Sequence, residues 1–110
     1  MFDGCNSLKE IDLSNFESKS ITELRGTFSF CENLENINFT NFDTSKVTRM
    51  DEMFYNCTSL KNLDISSFHL ENLENSQYMF YNCRNLAEIK FNNNTIAKNL
   101  TYMNNMFYSC

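Results

Sequence analysis

Apolar positions along this chain recur with a long period. Phe2, Phe28, Phe54, Phe80 and Phe107 form one column, spaced by 26 residues three times and then by 27. Cys5, Cys31, Cys57, Cys83 and Cys110 form a second column, three residues further on. Leu8, Leu34, Leu60 and Leu86 follow three residues after the first four cysteines. Ile11, Ile37, Leu63 and Ile89 come next, then Leu13, Phe39, Ile65 and Phe91. Register held over a whole chain marks internal repeats. The units are 1–26, 27–52, 53–78 and 79–105, with 106–110 opening a fifth, and together they make one domain.

Each unit carries two shorter periodicities. The stretch Leu60-Lys61-Asn62-Leu63-Asp64-Ile65 ends in apolar/polar alternation, the pattern of a short strand with one buried face. Upstream, Val47, Met50, Phe54 and Cys57 are spaced by three, four and three residues, which places them on one face of a helix. Asp43, Thr44 and Ser45 precede them as N-caps. The expected fold is α/β: stacked strand–turn–helix units in a curved solenoid, with short parallel strands on the concave face and short helices on the convex face. Two irregularities stand out. Ser76 and His69 depart from their columns in the third unit, and the fourth unit has an extra residue near Asn92 to Thr95 and lacks the Phe16/Phe42/Phe68 column. The convex side is expected to be least regular there.

The word M-F-x-x-C-x-S-L-x-x-L-D-L-S-N-F-D-T-S-K-V-T-x-M is spread over Met1 to Phe16 and Asn41 to Met50. It resembles the BspA-like leucine-rich repeats of bacterial and protist surface proteins, and the resemblance covers essentially the whole chain. It implies a leucine-rich-repeat solenoid at the cell surface or outside the cell, associated with adhesion and host-protein binding, but names no ligand.

Charge and composition narrow the function classes. A net charge of −5, with lysines and arginines scattered, gives no basic surface for nucleic acid. No run of 18 apolar residues is present, so this segment is not expected to enter a membrane. Its first residues lack the basic-then-apolar layout of a secretion leader, so none is expected within this segment. Gly4 and Gly26 are the only glycines, too few for a phosphate-cradling loop.

Five cysteines cannot all pair within one chain. In register, Cys5, Cys31, Cys57, Cys83 and Cys110 read as a structural ladder of small hydrophobes. In-register side chains point parallel, which strains a disulfide, and zinc sites use closer pairs. His69 has no nucleophile or orienting partner in any recognisable motif. No catalytic residue, cofactor or metal is therefore expected. The phenylalanine and methionine columns read as core. Tyr55, Tyr81 and Tyr108 are expected on the convex surface or between neighbouring helices, as a candidate second contact surface.

The candidate binding residues alternate with the buried strand column: Glu10, Asp12 and Ser14; Asn36, Asn38 and Thr40; Asn62, Asp64 and Ser66; Glu88, Lys90 and Asn92. They make a polar, mildly acidic concave face of the kind repeat proteins use to bind partners. Four asparagines, Asn38, Asn56, Asn93 and Asn99, sit in glycosylation-type triplets. Neither end carries a polar capping unit, so a fragment of a longer array, or end-to-end self-association, is expected. The reading is a non-enzymatic module that binds a protein through its concave face. The alternative is a structural spacer or coat with no ligand.

Overall fold

The alternating stretches do form strands. The computed structural model describes residues 1–92 and 97–110, and its strands are β1 (Glu10–Asp12), β2 (Asn36–Asn38), β3 (Asn62–Ile65) and β4 (Glu88–Phe91). They pair parallel in two two-stranded sheets, β1 with β2 and β3 with β4, in the register of the repeat: Ile11 opposite Ile37, Leu63 opposite Ile89. Between the sheets, β2 packs beside β3. Isolated parallel bridges join Glu23 to Arg49, Arg49 to Asn75 and Asn75 to Tyr102.

The expected convex helices are absent: among the described residues there is no helix. The segments proposed for them are chains of overlapping turns. Met53, Tyr55 and Cys57 N–H groups donate to the carbonyls of Met50, Glu52 and Phe54, each three residues back. The intervening N–H groups leave the unit altogether. Met50, Glu52, Phe54 and Asn56 donate to the carbonyls of Asn75, Gln77, Met79 and Tyr81 in the next unit. An α-helix needs every N–H to bond four residues back within its own coil, and half of these point to a neighbour.

Left-handed residues produce this geometry. Two columns have positive φ: Gly26, Glu52, Tyr78 and Asn105 in one, Gly4, Phe30, Asn56, Asn82 and Ser109 in the other. Each turns the chain out of the right-handed region and stops helical propagation. Turns closed over three residues bury much the same positions as a helix face, so Val47, Met50, Phe54 and Cys57 are all buried as the spacing requires. The periodicity located the core but misnamed the element.

The core is a set of columns. Phe2, Phe28, Phe54, Phe80 and Phe107 stack ring on ring, with centroids 5.2–5.6 Å apart and planes within 8° of parallel, but only Phe28, Phe54 and Phe80 are buried, and Phe107, expected in the core, is 51% exposed. Phe39 meets Phe28, Phe42, Phe54 and Phe68 edge-on and closes the core beside this stack. Phe91, expected in the buried strand column, is 46% exposed, whereas Leu13, Phe39 and Ile65 of the same column are buried. The extra residue and Asn93 fall in 93–96, outside the described residues.

The leucine-rich-repeat solenoid is overturned with the helices. With a radius of gyration of 12.7 Å and extents of 32 × 31 × 23 Å, the chain is a compact β-rich globule. Its radius matches the roughly 13 Å of a compact domain this long.

Candidate functional site

None of the twelve candidate residues of the strand face is buried; Ser14, Ser66 and Asn92 are half-buried and the rest exposed. The sheet register sets Glu10 beside Asn36, Asp12 beside Asn38, Asn62 beside Glu88 and Asp64 beside Lys90. Asn36 donates its amide to Glu10 Oε1 at 3.2 Å, and Lys90 Nζ lies 3.5 Å from Asp64 Oδ2. A cleft of about 220 Å³ crosses three strands, lined by Asn36, Asn62, Asp64, Glu88 and Lys90. The face is therefore continuous across both sheets.

The middle row of this face also holds the fold. Asp12, Asn38 and Asp64 each accept the backbone N–H two residues on, at Ser14, Thr40 and Ser66. Thr40 and Ser66 hydroxyls donate to the same Asn38 and Asp64 oxygens. These are the side-chain turns that Asp and Asn form readily. Hydrogen bonds from Ser14 and Ser66 hold both aspartates below the usual carboxylate range. Glu10, Asn36, Asn62, Glu88 and Lys90 are the side chains of this face with no such turn to hold.

The cysteine thiols are hydrogen-bond donors. Those of Cys31, Cys57, Cys83 and Cys110 donate to the carbonyls of Phe2, Phe28, Phe54 and Phe80 in the preceding unit, at 2.8–3.1 Å. The Phe2, Phe28, Phe54 and Phe80 carbonyls also accept the N–H of Cys5, Cys31, Cys57 and Cys83. The ladder therefore hydrogen-bonds as well as packs. All five thiols are free. Burial pushes Cys57 up strongly and Cys83 up to about 12, so neither offers a thiolate near neutral pH. His69 is exposed, its Nδ1 3.5 Å from Glu71 Oε1, and its backbone is clasped by Thr44 Oγ1. Among the described residues no three His, Cys, Asp or Glu side chains gather to hold a metal.

The turn side carries a second surface. Tyr55, Tyr81 and Tyr108 stack at 4.7 and 5.2 Å, Phe30 lies 5.3 Å from Tyr55, and Tyr78 meets Tyr81 at 63°. The sequence pointed to the tyrosine column but not to Tyr78, Glu52 or Phe30 beside it. Their signal was the Gly/Asn content of their two columns, which marks left-handed positions. Of the glycosylation-type asparagines, Asn38 is engaged in its turn, Asn56 donates to Glu32 and Asn99 donates to the Glu71 carbonyl.

The fold and faces together define a compact β-rich globule whose successive turns bond to one another and present open polar and aromatic surfaces. Over residues 1–110 the chain matches the family described as "Mycoplasma protein of unknown function, DUF285", and it belongs to that family. That match replaces the BspA-like assignment suggested by the repeat word. No curated protein and no solved structure matches the chain. No helix among the described residues is long and apolar enough to cross a membrane.

Proposed function

We propose that the chain is a non-enzymatic binding module that recognises a protein partner through its strand face. One observation carries the reading: twelve polar positions from four units lie unburied on one continuous face, while the apolar positions between them, Phe91 excepted, are buried or packed against the core. Carboxylates of Glu10, Asp12, Asp64 and Glu88 outnumber Lys90 there, so the face suits a basic surface. The rival reading, a spacer without a ligand, draws support from Asp12, Asn38 and Asp64, whose polar atoms serve their own turns.

Reversing charge at Asp12 or Asp64 would break a turn, so the test uses Glu10→Lys with Glu88→Lys. Proteins captured by the wild-type chain are compared with those captured by the variant at equal melting temperature. Loss of the captured set supports the strand face. An unchanged set overturns it, and an empty wild-type set favours the spacer.

A further inference from the structure

On the turn side, Glu52, Tyr55, Tyr78 and Tyr81 line an open cleft of about 420 Å³. Tyr55 and Tyr81 are stacked within 4° of parallel, and Tyr78 stands across Tyr81 to make a corner. Glu52 is the only charged residue in the lining. The faces of Tyr81 are covered by Tyr55 and Tyr108, and Tyr55 lies between Tyr81 and Phe30, so what the cleft offers an organic cation is the Glu52 carboxylate beside the Tyr78 ring.

The backbone sets this patch apart. In the first left-handed column the outer units use Gly26 and Asn105, the types that tolerate positive φ, whereas Glu52 (φ 59) and Tyr78 (φ 55) occupy the middle. Phe30 (φ 57), against Tyr55, is the bulkiest misfit of the second column, whose other members are Gly4, Asn56, Asn82 and Ser109. Stability alone would place Gly or Asn at all three. The costliest left-handed residues lie at this aromatic surface, and backbone strain kept at one place points to use.

We infer that this cleft is a second binding site, which takes an arginine side chain of a partner protein. Glu52 already engages a guanidinium, since Arg25 Nη2 approaches its Oε1 at 3.7 Å. Arg25 is anchored instead on Asp51, at 3.1 Å, and the exposed contact to Glu52 is weak enough for exchange. An entering guanidinium gains the Glu52 carboxylate, which its planar fork can meet with two donors, and the Tyr78 ring to stack on.

The test is an NMR titration of the Tyr55, Tyr78 and Tyr81 ring signals with N-acetylarginine amide, its uncharged citrulline counterpart, and choline. Saturable shifts with the arginine compound alone are expected. Glu52→Gln should weaken them roughly tenfold or more, the size of a lost charge-assisted hydrogen bond. Tyr78→Asn should abolish them at an unchanged or higher melting temperature, and Arg25→Ala should leave them equal or stronger. Equal response to citrulline, insensitivity to Glu52→Gln, or no response to arginine overturns the site. A response to choline alone transfers it to a quaternary ammonium headgroup.

Discussion

At Cys57 the fold answers what a recurring cysteine does. Its Sγ lies 3.1 Å from the Phe28 carbonyl in a fully buried setting, so the side chain is both filler and donor. Cys57→Ala should cost about 1–2 kcal/mol for the lost bond and the small void. Cys57→Ser, whose hydroxyl reaches toward the same carbonyl, should cost no more. Urea unfolding of the two variants beside wild type is the check. The core placement read from the sequence holds for Cys31, Cys57 and Cys83 but not for half-buried Cys5 or exposed Cys110, and the donor role was hidden, because the acceptor belongs to a residue 29 positions away.

Among the elements, the strands were legible and the turn segments were not. Alternation at Leu63, Asp64 and Ile65 has one structural solution, a strand with one face buried. The spacing of Val47, Met50, Phe54 and Cys57 has two, because turns closed over three residues mimic a helix face. What decides between them is the sign of φ at Gly26, Glu52, Asn56 and their equivalents, which hydrophobic spacing does not record. Gly26 tests this cleanly. A Cβ added there meets nothing nearer than Ser29 Cβ at 3.8 Å, so Gly26→Ala carries only the backbone penalty, about 1 kcal/mol. A drop in melting temperature with unchanged circular dichroism would show it, whereas a gain would mean that the segment can turn helical. The strand face was legible for the same reason as the strands, while the arginine cleft depends on residues whose placement follows from the left-handed columns.

Across the whole molecule, the stacked thiols make stability depend on pH in the alkaline range. A free thiol ionises near 9.0, and burial raises Cys83 to about 12 and Cys57 further. The fold therefore favours the protonated form. Its contribution is complete below 9.0 and declines as pH rises through the folded values. Denaturation midpoints should fall between pH 9.0 and about 12, and fall less steeply in a Cys57→Ala, Cys83→Ala variant. Equal slopes would remove the thiols as the cause.

The coil-to-coil amides have one more effect. The peptide group joining Arg49 to Met50 accepts from Leu24 at its carbonyl and donates to Asn75 at its N–H, and Ser76 donates onward to Tyr102. Three parallel wires run beside it, through Gly26, Phe28 and Phe30 and their equivalents. Every peptide in them points the same way, each with a dipole of about 3.5 D, and such chains polarise one another. The amides of Glu35, Thr48, Glu74, Ala87 and Thr101 donate the other way, to the preceding unit, and cancel part of this, so the four wires leave a partial net dipole with its amide-hydrogen pole toward the later units. A charged partner lying along either face would feel that gradient and settle in one direction, which the net charge of −5 does not reveal.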